Sequence, residues 1–225
     1  MEINEIKIDF LGHSGFMITC KEGKRIFIDP YNLSENAAKE KADYILITHS
    51  HYDHCSIKDI QRIVKEKTII VMPADVQSKI TRLESVEMQI MEAGDELKFG
   101  NIKIEALPAY NTNKEFHTKK DHWLGYIIKI NEMIIYHPGD TDKIAEMEKL
   151  TGYGKHENKF IALLPVSGKT VMDANEAAET AKSIGADISI PMHYGSGVVG
   201  SIEDANKFVE ACQQLGIKAM ILEKI

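Results

Sequence analysis

Apolar side chains recur at every second position near the start of the chain, at Ile6, Ile8 and Phe10, then Phe16 and Ile18, then Ile26 and Ile28, with Gly or charged residues separating the groups. Successive side chains of a strand point to opposite faces, so this period of two predicts an antiparallel meander. A continuous apolar run predicts a strand over 44–48. Ser56 and Asp59 then resemble a capping box for a helix carrying Ile57, Ile60, Ile63 and Val64. Further strands are expected over 68–72, 102–107, 124–130 and 133–136, with a helix over 74–83. From residue 160 the pattern alternates: strand 161–164, helix 174–184, strand 188–190, helix 202–215, strand 217–222. Asp173 and Ser201 suit N-caps, and Gly185 and Gly216 fall where glycines end helices. Helices alternating with β-rich blocks predict an α/β molecule of layered sheets covered by helices on their outer faces.

At 225 residues the chain can bury a core without staples, and one domain, 1–225, is expected. Hydrophobic and charged contents of 44% and 27% are ordinary for a soluble protein. The formal charge of -7 argues against a general nucleic-acid surface, which needs clustered Lys and Arg, while leaving a local basic patch open. Cys20, Cys55 and Cys212 are odd in number and lack C-x-x-C spacing, so neither a disulfide frame nor a thiolate zinc knuckle is expected. A reducing cytoplasm suits them. The sequence begins Met-Glu-Ile-Asn-Glu without a basic or apolar leader pattern, and no apolar stretch reaches the length of a membrane span.

The chemistry concentrates at His49-Ser50-His51-Tyr52-Asp53-His54, directly after the 44–48 run. His49 and His51 are two apart, which in extended chain puts both imidazoles on one side, within reach of one ion. Asp53 and His54 follow at once, so a turn after His51 can aim them at a second centre. Imidazole and carboxylate together suit zinc first, with manganese or iron open. Two more candidates stand at strand ends, where open sheets place ligands: Asp140 in His-Pro-Gly-Asp-Thr and His193 in Pro-Met-His-Tyr-Gly. Cys55, beside His54, reads as packing. His137 and Tyr194 flank these positions and read as supports. Ser167-Gly168-Lys169-Thr170 has the look of a phosphate-loop tail but lacks the earlier glycine of that pattern, and it is discounted.

These residues, in this order, make the chain resemble the metallo-β-lactamase superfamily of metal-dependent hydrolases, especially its small ascorbate-phosphate-lactonase-like branch. The resemblance runs over nearly the full length: an Asp after an early strand (Asp29), His-x-His-x-Asp-His (49–54), a Gly-Asp-Thr aspartate (Asp140) and a late His (His193). It implies a four-layer αββα sandwich with a dinuclear site at one edge. It also implies that His49 and His51 hold one ion with a middle His, that Asp53, His54 and His193 hold the second, and that Asp140 bridges them. Asp29 would hold the His loop by accepting hydrogen bonds, a role that matters nearly as much as ligation. The departure lies in the third motif: where the family has a His, this chain runs Ala109-Tyr110-Asn111. His117 is the favoured replacement, with His122 or neither as the alternatives.

His13, in the turn between the first two strands, and Tyr110, Asn111 and Lys114, in the loop 108–122, are candidate substrate contacts. The expectation is a hydrolase in which two divalent ions share a hydroxide, with a water pKa lowered to about 7 by ions about 3.5–4 Å apart. Asp53 would orient that nucleophile and relay its proton. The bond would be an ester, lactone or phosphoester of a small, anionic substrate. The alternatives are a phosphodiesterase or RNA-processing hydrolase of the same fold, and a non-catalytic binding protein on a degenerate scaffold. Nucleic acid and membrane partners are not expected, and homo-oligomerisation is open.

Overall fold

The structure is a computed structural model that describes residues 1–154 and 157–225. The chain forms two compact units, Met1–Met91 with Leu222–Ile225, and Glu92–Ile221.

The first unit is built on a seven-stranded mixed sheet whose strands lie in chain order: β1 (Glu2–Ile3), β2 (Ile6–Gly12), β3 (Gly15–Thr19), β4 (Arg25–Ile28), β5 (Tyr44–Leu46), β6 (Thr68–Met72) and β7 (Val86–Ile90). The expected meander is present, since β2, β3 and β4 pair antiparallel. From β4 onward the neighbours are parallel, and each parallel step needs a crossover. A 3-10 turn (Ala37–Lys39), α1 (Ile57–Ile63) and α2 (Ala74–Ile80) supply them. Ile60 and Ile63 of α1 and Val76 and Ile80 of α2 bury against Leu11, Met17, Phe27, Ile45 and Ile70 of the sheet. The opposite face carries Ile8, Phe10, Phe16, Ile18, Ile26 and Ile28, which are buried as well. Helix α1 starts where expected: Ser56 accepts from the Asp59 amide, and its hydroxyl donates to the Asp59 carboxylate at 2.7 Å. That carboxylate also accepts from the Asn32 and Leu33 amides, so it ties the loop after β4 to the helix as well as capping it.

The second unit holds a six-stranded mixed sheet in the order β13-β12-β11-β10-β9-β8. Its strands are β8 (Glu96–Phe99), β9 (Ile102–Pro108), β10 (Leu124–Ile130), β11 (Met133–His137), β12 (Lys159–Pro165) and β13 (Ile188–Met192). Strands β8 to β11 pair antiparallel, and β11, β12 and β13 pair parallel. Helices α3 (Ala174–Ile184) and α4 (Ile202–Gln214) pack on each other and on β12 and β13. Asp173 caps α3 through the Asn175 and Glu176 amides, and Gly185 closes it at φ 70°. Two glycines let the site-bearing turns fold closely. A Cβ on Gly125 of β10 would lie 2.6 Å from the Pro138 carbonyl oxygen, and one on Gly200 would lie 2.4 Å from that of His193.

Two sheets with their helices are thus as expected, with local differences: helix α2 ends at Ile80, short of the expected 83, the short strand β1 was not expected, and three further stretches depart from the pattern. Residues 217–222 form no strand: beside β13 they make one bridge, Ser189 to Ala219. The run over 44–48 stops pairing as a strand at Leu46, and the amide of Thr48 is taken by the Asp29 carboxylate. Strands β7 and β8 went unpredicted, because both are half-exposed and carry charged residues among their apolar ones.

Candidate metal centre

In the first unit the loop between β5 and α1 carries His49, His51, Asp53 and His54, and Asp29 at the end of β4 holds it. Asp29 is fully buried. Its Oδ1 accepts the Thr48 amide at 2.8 Å, and its Oδ2 accepts the Thr48 hydroxyl at 2.6 Å and His54 Nδ1 at 2.7 Å. A carboxylate can only accept here, so His54 carries its proton on Nδ1 and presents a lone pair at Nε2. The Thr48 hydroxyl has one proton and donates it to Asp29. It therefore accepts from His49 Nδ1, 2.9 Å away, which leaves the His49 lone pair at Nε2 too. That Nε2 faces His51 Nδ1 at 3.2 Å. Both tautomers are the ones metal-binding imidazoles use, with the far nitrogen held by a carboxylate or hydroxyl.

His13 and Asp53 meet in the same unit, His13 Nε2 lying 3.0 Å from Asp53 Oδ2. His13, Asp53 and His54 offer ligand atoms all within 4.8 Å of one another. Tyr31 stacks edge-on to His13 at 5.9 Å, and Tyr52 to Tyr31 at the same distance.

In the second unit Asp140 follows β11, in a turn that His137 supports by accepting the Gly139 amide. His193 follows β13, and its Nε2 lies 3.0 Å from Asp140 Oδ2. His117, in the loop between β9 and β10, brings its Nε2 to 3.4 Å from the same oxygen. His117 Nδ1 stands 2.8 Å from the Thr170 carbonyl, which can only accept, so the lone pair of neutral His117 faces the Asp140 carboxylate. Two acceptors pointed at each other call for a cation between them, a proton or a metal ion. An imidazole and carboxylate donor set without thiolate fits a divalent ion such as zinc, manganese or iron.

Of the alternatives for the missing third histidine, the structure brings His117 to Asp140. His122 is exposed, at the C-terminal end of a 3-10 turn (Lys119–Asp121). His13, Asp29, His117 and His193 all hold left-handed backbone, φ 55°, 43°, 57° and 64°. Such non-glycine residues are uncommon, cost about 1 kcal/mol or more, and cluster where geometry is imposed for function.

The proposed substrate contacts have protein partners. Tyr110 donates to Glu146 at 2.8 Å, with Lys119 over its ring; Lys114 pairs with Asp142; and Asn111 is buried, its amide donating to the Phe116 and Thr170 carbonyls. Cys55 is buried packing, its thiol pushed up to about 12 by burial. Three supports went unrecognised in the sequence: Thr48, Ser167 and Thr170. The Ser-Gly-Lys-Thr segment holds both candidate ligand histidines of this unit, through the Thr170 carbonyl on His117 and the Ser167 hydroxyl, 2.8 Å from His193 Nδ1. Ser and Thr are too common, and the Thr170 contact is backbone, so no sequence signal marks this role.

The chain matches the family model described as the beta-lactamase superfamily domain over residues 7–193. A UPF0173 metal-dependent hydrolase of Thermoplasma acidophilum is 32% identical over 199 residues, covering 86% of this chain and 85% of the relative. A crystal structure from Parabacteroides distasonis, of a protein assigned as a metal-dependent hydrolase, matches with a TM-score of 0.82 and 31% identity over 97% of this chain and 94% of that one. A metallo-β-lactamase fold protein of Bacillus subtilis matches in fold alone, with a TM-score of 0.73 and 14% identity over 97% of this chain and 96% of its own. Since the family model spans most of its length and a relative of 32% identity covers 86% of it, the chain belongs to the metallo-β-lactamase superfamily, among the UPF0173 metal-dependent hydrolases.

Proposed function

We propose that this chain is a dinuclear metal-dependent hydrolase acting on an ester, lactone or phosphoester bond of a small molecule. The observation that carries the reading is the common setting of His49, His54 and His117: each has Nδ1 within 2.9 Å of an oxygen that accepts, which leaves the lone pair of the neutral ring at Nε2. By the order of motifs in the superfamily, His49, His51, Asp53 and His54 of the first unit and His117, Asp140 and His193 of the second are the residues that would hold the ions. Bound divalent ions supply a water acidified to about neutrality and polarise the scissile carbonyl or phosphoryl group.

The chain's own residues do the rest. Asp53 orients the attacking water and takes its proton, and His13, with Nε2 at 3.0 Å, stabilises the Asp53 charge and offers the proton a way on. Asp29 and Thr48 keep the histidine loop from turning when substrate arrives. Relatives named as metal-dependent hydrolases support the reaction class. The fold does not choose the bond. The preference for an anionic substrate rests on the resemblance, since Lys114 is paired with Asp142. Zinc is the favoured ion, and three buried cysteines without disulfides suit a cytoplasmic setting. His117 beside Asp140 favours a complete ligand set over the degenerate-scaffold reading.

The test is turnover of a lactone, a thioester and bis-p-nitrophenyl phosphate by protein of known metal content, wild type against Asp53→Ala. Metal-dependent hydrolysis of at least one substrate, lost with chelator and lowered at least 100-fold by the substitution, is expected. Wild-type turnover by Asp53→Ala with full metal would remove Asp53 from the mechanism.

A further inference from the structure

The third-motif position is the place where this chain departs from its family's pattern, and a buried amide stands there. Asn111 is 6% exposed, and every hydrogen-bond donor it owns is directed at the loop that carries His117 or at the carbonyl that fixes His117. Its backbone N–H donates to the His117 carbonyl at 2.6 Å. Its side-chain Nδ2 donates to the Phe116 carbonyl at 2.9 Å and to the Thr170 carbonyl at 2.6 Å. Thr170 is also the acceptor for His117 Nδ1 at 2.8 Å. One carbonyl oxygen has two lone pairs, and here two donors, one from Asn111 and one from His117, use both.

We infer that Asn111 is the positioning residue of His117, and that this pair takes the place of a single histidine at the end of β9. The inference rests on the reading of His117 as a metal ligand. A histidine six residues further along a loop is too mobile to be a precise ligand by itself. Its left-handed backbone, φ 57°, is a conformation the loop must be made to hold. Asn111 supplies that constraint in two ways. The bonds to the Phe116 and His117 carbonyls clamp the loop on both sides of the His117 backbone. The bond to Thr170 anchors the acceptor that keeps the His117 proton on Nδ1 and its lone pair toward Asp140. Removing the amide frees the Thr170 carbonyl to swing and the imidazole to rotate, so the expected loss is in metal affinity, about 10–100-fold as for other groups that orient metal ligands.

Zinc affinity by chelator competition, measured on the full chain for wild type, His117→Ala, Asn111→Ala and the double variant, tests this. The expected result is weakening in both single variants, with the double variant no weaker than His117→Ala, because Asn111 acts only through His117. An unchanged affinity in His117→Ala would overturn the ligand reading, and this inference with it. Weakening in His117→Ala but an affinity within twofold of wild type in Asn111→Ala would overturn the inference and leave the ligand reading standing. Equal weakening by Asn111→Ala in the presence and absence of His117 would overturn it by making Asn111 a general prop of the fold. Should Asn111→Ala not fold, Asn111→Asp keeps the shape and removes the side-chain donors. Long-range proton–nitrogen spectra of metal-free wild type also read the tautomer directly: the neutral ring of His117 is expected to be protonated on Nδ1, and the Nε2–H form would contradict it.

Discussion

Asp29 spends both carboxylate oxygens on one short loop, holding the Thr48 amide, the Thr48 hydroxyl and His54 at 2.6–2.8 Å. Through Thr48 the same carboxylate decides the tautomer of His49, so one residue sets the lone pairs of two imidazoles. Asn at this position would have the same shape but one oxygen in place of two, and its N–H2 would face a donor. Asp29→Asn should therefore bind zinc about 10–100-fold more weakly, with the fold retained. An affinity within twofold of wild type would contradict the role given to Asp29. The Asp-Pro pair at 29–30 and the crowded histidines were legible in the sequence, because aspartate and histidine in such density are rare outside sites. Thr48 and the Thr170 carbonyl were not, since a hydroxyl or a backbone oxygen acquires its role only from where the chain folds.

At the scale of elements, periodicity carried far where one face or both faces of a strand are fully buried. The meander β2–β3–β4, strands β6 and β10, and helix α3 lie where the apolar spacing put them. It failed at β7 and β8, whose half-exposed positions mix charge with apolar residues, and at 217–222, where apolar residues pack without making a ladder. The loop candidates were the hardest, because neither His117 nor its partner Asn111 sits on a periodic element, and spacing cannot choose between His117 and His122. Strand β9 also carries an electrostatic device. Glu105 meets Lys129 of β10 at 2.7 Å, Lys103 at 2.9 Å and the Tyr153 hydroxyl at 3.1 Å. Burial alone would raise its pKa, but the two lysines and the tyrosine outweigh it and hold the carboxyl below its ordinary value of 4.5. A carboxylate lowered on folding contributes stability above its unfolded pKa, and that contribution is lost as pH falls through the folded one. Glu105→Gln should thus cost about 1 kcal/mol at neutral pH and less in acid. Denaturant melts at pH 7 and pH 3.5 would read this, and an equal cost at both would assign the loss to packing.

For the molecule as a whole, the sequence patterning anticipated two sheets with covering helices, and the family model spans 7–193. No helix among the described residues is long and apolar enough to cross a membrane. The histidine and aspartate motifs lie in chain order along both units, and the folded protein is expected to carry divalent metal on them. Metal content by mass spectrometry of the untagged, purified protein, wild type beside His117→Ala, tests it most directly. About two ions per chain, falling in the variant, is the expected result for a dinuclear site. One ion or none, unchanged by the substitution and not restored by zinc, manganese or iron, would contradict the account.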